Sequence, residues 1–163
     1  MPLPIYILRR NMMNVKDILY ITGDEEGSRI FLKGGQEAVI REKPAEFLNR
    51  LCLYSGSTLN GRTEAFRYLT GSKQKPAVLI SEHTQTLFFP TMNAGHRECI
   101  WICYNEILDI HADGPDQTRI RFLSADTAVI PFNYRILRNQ IERCDQFIRR
   151  LNQEMDPDLE KIV

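Results

Sequence analysis

Short apolar runs separated by turn residues fill most of this chain, and one long helical stripe follows them. Ile18–Thr22 is a β-branched run that closes at Gly23-Asp24. Arg29–Lys33 alternates and stops at Gly34-Gly35, and Glu37–Arg41 comes next. Turn signals at this spacing predict an antiparallel meander. Pro44 stands where the first position of a helix accepts proline, and Phe47, Leu48 and Leu51 follow at helical spacing, which predicts a helix over Pro44–Leu53. Ser55-Gly56-Ser57 ends it. Asn60 is the candidate N-cap of a shorter helix over Gly61–Leu69, and Gly71 is its stop signal. The next residues, Gly71–Pro76 (GSKQKP), read as an exposed basic loop.

Beyond this loop the pattern returns to strands: Ala77–Ser81, Thr86–Phe89, Ile100–Tyr104 and Ile107–His111. Thr118–Phe122 and Thr127–Phe132 flank Ser124-Ala125-Asp126, a turn of hairpin length. In the first of this pair Ile120 and Phe122 share one face and Arg119 and Arg121 the other. Leu137, Ile141, Cys144, Ile148 and Leu151 then recur at four-three spacing, an apolar stripe on a helix from Tyr134 to Gln153. Arg135, Arg138, Glu142, Gln146 and Arg149 fall opposite. The stripe covers only about two heptads, so packing on a sheet accounts for it better than a coiled-coil seam. The fold class expected is α+β: a twisted antiparallel, partly barrel-like sheet with two short inserted helices and a long C-terminal helix. The domain runs over residues 1–153 and a short acidic tail over 154–163.

Composition adds bounds. At 163 residues, 43% hydrophobic and 26% charged, the chain is an ordinary globular domain able to bury its own core. No apolar run nears the roughly 18 residues of a membrane helix, and Ile5–Leu8 is too short for a signal-peptide core. A cytoplasmic protein with no membrane partner is expected, with Cys52, Cys99, Cys103 and Cys144 as free thiols. Net charge is zero. Setting aside the stretch from Glu154 to Lys161, which holds four acidic residues and one lysine, leaves 20 basic and 17 acidic residues out of 21 of each. The remainder is mildly basic, and local field matters more than the total when a protein docks on a phosphate backbone.

Four constellations carry candidate chemistry. Arg62, Arg67, Lys73 and Lys75 face only Glu64 in a glycine-punctuated stretch, where guanidinium and backbone can approach phosphate closely, but on charge alone an ordinary solvated surface helix and loop accounts for them better. Arg62 and Arg67 lie about 140° apart on a helix, so they do not aim at one ligand. Phe88, Phe89 and Trp101 could wedge between base steps, but an apolar run around Trp101 makes core packing the better reading. His96, Cys99 and Cys103 look like half of a zinc site with no second pair, and ordinary thiols explain them better. Asp109, Asp113 and Asp116 sit by Gly114-Pro115 and read as a polar turn. There is no P-loop, HExxH, GxSxG or nucleotide-binding glycine fingerprint, so no catalytic residue, cofactor or metal is expected.

A set of short motifs in fixed order resembles the ComK family, the competence transcription factors of Gram-positive bacteria, from about residue 18 to about 150. They are Ser55-Gly56-Ser57 with Gly61-Arg62, Leu69-Thr70-Gly71 with Lys75-Pro76-Ala77-Val78, and Leu87-Phe88-Phe89-Pro90-Thr91. Cys99-Ile100-Trp101-Ile102 and Asn133-Tyr134-Arg135 with Asn139-Gln140 and Arg143 complete them. The resemblance implies selective binding of double-stranded DNA at paired A/T-rich boxes, through the minor groove, by a self-associating protein, a dimer or higher oligomer, that activates DNA-uptake genes. RNA polymerase would be a further partner. A/T tracts have narrow minor grooves whose negative potential draws in arginine. Within this frame the DNA-binding residues expected are Arg62, Arg67, Lys73, Lys75, Arg97, Arg135 and Arg138, from local charge and motif position. Family members carry a C-terminal extension through which an adaptor delivers them to a protease. EMDPDLEKIV holds no aromatic-rich motif, which leaves that control doubtful here. The other reading of the same residues is an intracellular β-rich module that binds protein or peptide without DNA.

Overall fold

The computed structural model describes residues 13–153; Ile5–Leu8 and the acidic stretch 154–163 lie outside them. The first hairpin meander forms as its turn residues dictate: β1 (Ile18–Gly23), β2 (Ser28–Leu32) and β3 (Gln36–Ile40) pair antiparallel in sequence order. Gly34 and Gly35 turn the chain between β2 and β3 with φ of 79° and 72°, a region that costs other residues steric strain. Gly27 is required for a different reason. A Cβ there would overlap the Ile40 carbonyl and the Arg41 backbone, neither of which can swing aside. Gly27→Ala is therefore expected to cost about 1–3 kcal/mol of stability, readable as a lower urea midpoint at unchanged slope.

Two helices follow, α1 (Pro44–Tyr54) and α2 (Leu59–Thr70). The N-cap of α2 is Thr58, not Asn60: the Thr58 hydroxyl accepts from the Gly61 amide at 3.0 Å, and the helix starts two residues earlier than Gly61. Gly71 closes it in the left-handed conformation, its N–H donating to the Arg67 carbonyl at 2.8 Å. Strands β4 (Val78–Ser81), β5 (Thr86–Pro90) and β6 (Ile100–Cys103) then extend the first sheet, giving the order β3-β2-β1-β6-β5-β4.

A short 3-10 turn at Tyr104–Glu106 redirects the chain into a second, three-stranded sheet, β7 (Ile107–Ala112), β8 (Thr118–Phe122) and β9 (Thr127–Ile130). The α+β class and the antiparallel pairing are as expected, with the strands divided between two sheets. Strand β9 stops at Ile130 rather than Phe132, because Pro131 has no N–H to give a ladder. Asp126 ties the sheets together by accepting from the Gly34 and Gly35 amides at 3.0 and 3.1 Å. The last element is α3 (Tyr134–Leu151), capped by Asn133, whose side chain accepts from the Ile136 amide at 3.0 Å.

The large sheet is buried on both faces, which explains the unbroken apolar runs of β5 and β6. One face, with Phe88, Trp101 and Cys103, packs under Phe47, Leu48 and Cys52 of α1. The other, with Leu87, Phe89, Ile100 and Ile102, meets Phe66 of α2, the small sheet through Ile120, Phe122 and Ile130, and α3. Leu137 and Cys144 of the expected stripe are fully buried there, and Ile141, Ile148 and Leu151 pack at its edge. Phe147 and Gln140 are buried beside them. No helix among the described residues is long and apolar enough to cross a membrane.

Candidate nucleic-acid interface

Helix α2 places its two arginines on opposite sides. Its apolar stripe, Leu59, Phe66 and Leu69, faces the core, and Arg62 lies on that same side by helical spacing. The Arg62 side chain is 9% exposed and Nη1 meets Glu82 at 3.1 Å. It is not presented at the surface, which removes it from the expected set of phosphate contacts. Arg67 points outward, and its Nε donates to the Lys73 carbonyl at 3.2 Å, holding the loop after α2 against the helix.

That loop is less free than its composition suggests. Lys75 adopts a left-handed conformation, φ 49°, and is half-buried. Its carbonyl accepts from Gln140 Nε2 at 3.0 Å, and the same nitrogen donates to the Pro90 carbonyl at 2.7 Å. Gln140 Oε1 accepts from Arg143 Nη1 at 2.8 Å, so one buried glutamine positions both Lys75 and Arg143. Burial, and then the neighbouring Arg143 guanidinium, hold the Lys75 ammonium below the ordinary lysine range.

Asn60, Thr63 and Arg67 of α2, Lys73 and Lys75 of the loop, and Asn93 border one open groove of about 350 Å³. Three of the expected DNA contacts thus converge, with Arg143 against Lys75. Among the described residues none of these four cations has a carboxylate partner within ion-pair distance. Arg150 shares the flank of α3 that faces α2, its Nε donating to the Leu69 carbonyl at 3.3 Å. The remaining candidates stand apart. Arg97 is exposed beside Glu25 at 3.9 Å and lines an adjoining cavity that shares Ala94 and Trp101 with the groove. Arg135 is exposed on α3, and Arg138 pairs with Glu142 at 3.1 Å, about 140° around the helix from Arg143.

Sequence reasoning quoted Arg143 and Gln140 only as parts of a motif. A signal for Gln140 was present: it lies three residues after Leu137 and four before Cys144, on the stripe itself. The other constellations resolve as structure. Phe88, Phe89 and Trp101 are core side chains, 0%, 0% and 1% exposed. His96 is exposed while Cys99 and Cys103 are buried, and among the described residues no group of three His, Cys, Asp or Glu could hold a metal. Asp109 lies in β7, not in a turn, and pairs with Arg121, while Asp113 pairs with Arg119 at 3.6 Å. All four cysteines are free and buried. Burial pushes every one of the thiols up, Cys103 to about 12. A disulfide reagent at neutral pH is expected to label none of them in the native protein within minutes, and all four in denaturant.

The ComK family profile, described as ComK protein, matches residues 4–156. A protein named competence transcription factor, from Bacillus subtilis (strain 168), is 27% identical over 104 residues, which is 64% of this chain and 54% of that relative. The chain spans about half the length of the curated relative it matches. No solved structure matches. With a family match over nearly its whole length, this chain belongs to the ComK family.

Proposed function

We propose that this chain is a competence transcription factor that binds double-stranded DNA through the groove between α2 and the loop after it. The observation that carries the reading is the convergence of Arg67, Lys73, Lys75 and Arg143 with no neutralising carboxylate among the described residues. Burial first, and then the Arg143 guanidinium, hold Lys75 below its ordinary pKa, and an anion brought to the groove offsets both costs; a DNA phosphate is such an anion. Arg97 and Arg135 serve as flanking contacts, and Arg138, whose charge already faces Glu142, contributes little.

The basic surface of one protomer is modest, so paired A/T-rich boxes bound through the minor groove by a self-associating protein fit it well. Minor-groove readout separates mainly A·T from G·C, and the spacing of two protomers supplies the remaining selectivity. RNA polymerase is the partner such an activator would recruit. The test is binding of purified protein to a duplex carrying two A/T-rich boxes and to a G/C-substituted duplex, over a salt series. Preference for the A/T duplex with affinity falling steeply as salt rises is expected. Equal, weak or absent binding to both would overturn the reading and favour a module that binds protein or peptide.

A further inference from the structure

The arginine that α2 turns inward has more donors than the protein uses. A guanidinium carries five N–H groups in a fixed fork. At Arg62 one nitrogen, Nη1, meets Glu82, and Nε is buried with no hydrogen-bond partner among the described residues. Glu82 itself is 75% exposed, so the partner of this buried cation sits largely in water, where it neutralises weakly. Arg62 lines a cavity of about 340 Å³ between α2, the β4–β5 turn and the end of α3. The other walls are mainly apolar: Leu69, Leu79, Phe147 and Leu151. A buried cation at one wall of a small apolar chamber is the pattern of a ligand site, and the volume falls at the low end of such sites.

We infer that this cavity binds a small aliphatic monocarboxylate, with the carboxylate on the Arg62 fork and the hydrocarbon tail along Leu79, Phe147 and Leu151. A carboxylate matches the guanidinium geometry with two parallel hydrogen bonds. A phosphate monoester fits less well, because its second charge would face apolar walls and Glu82. The site is separate from the basic groove, and its existence does not depend on DNA binding.

The experiment uses the full chain and its Glu82→Gln variant, with sodium hexanoate, sodium acetate and hexan-1-ol as probes at constant ionic strength. Glu82 is exposed and glutamine keeps an acceptor oxygen for Nη1, so the variant keeps the fold while removing the competing negative charge. Hexanoate is expected to raise Tm of the wild-type protein saturably, to bind Glu82→Gln several-fold more tightly, and to shift the Arg62 Nε–H resonance. Acetate and hexan-1-ol are expected to do none of these at the same concentration. No saturable effect of hexanoate on either protein, an equal response to hexan-1-ol or to acetate, or weaker binding by Glu82→Gln would each overturn the assignment.

Discussion

Replacing Arg67, Lys73 and Lys75 together by alanine is expected to lower the slope of log K against log salt on an A/T-rich duplex by about 2.7, close to three released counterions. Affinity at low salt falls by more than an order of magnitude, and the difference narrows as salt rises. The fold is expected to survive. Arg67 and Lys73 are exposed, and among the described residues the one hydrogen bond lost with their side chains is Arg67 to the Lys73 carbonyl. Alanine at position 75 meets the same positive-φ strain that lysine already bears, since both carry a Cβ. Arg138→Ala is the contrast: its charge already faces Glu142, so its removal changes the slope by well under one. The measurement is fluorescence anisotropy of labelled duplex over a potassium chloride series. A triple variant with the wild-type slope would show that DNA docks elsewhere on the protein.

The elements of this fold were legible because local chemistry marks them. Gly34-Gly35 turns the meander, Pro44 opens α1, Gly71 closes α2, and the stripe of α3 keeps its period over about four turns. Period-two alternation says which face a residue takes but not which sheet its strand joins. The Tyr104–Glu106 turn that sends β7 into a second sheet carries no such mark. The site was legible in the same uneven way. Arg67, Lys73 and Lys75 meet because they are close in sequence and the chain reverses at Gly71. Arg62 was misplaced because charge alone was read. Its position three residues after Leu59 and four before Phe66 puts it on the buried side of the helix. Arg143 reaches Lys75 only through a tertiary bond made 65 residues away in sequence by Gln140, and no local pattern reports that.

Gln140→Leu tests that bond and what it does for the groove. Leucine fills similar space but leaves the Lys75 and Pro90 carbonyls without a donor and Arg143 Nη1 without an acceptor. Each buried polar group left unpaired costs about 1–3 kcal/mol, so a total loss of about 3 kcal/mol and a fall in Tm of roughly 10 °C are expected. Asn139→Leu, at the exposed neighbouring position, changes stability by no more than about 0.5 kcal/mol. DNA binding separates positioning from charge. Gln140→Leu retains every basic side chain, so the salt slope stays at its wild-type value while affinity falls at all salt concentrations, because Lys75 and Arg143 must now be ordered on binding. A slope that fell with the affinity would mean that the phosphate contacts themselves had been lost. An unchanged Tm would mean that Gln140 does not anchor the loop, and the convergence of charges at the groove would then need another cause.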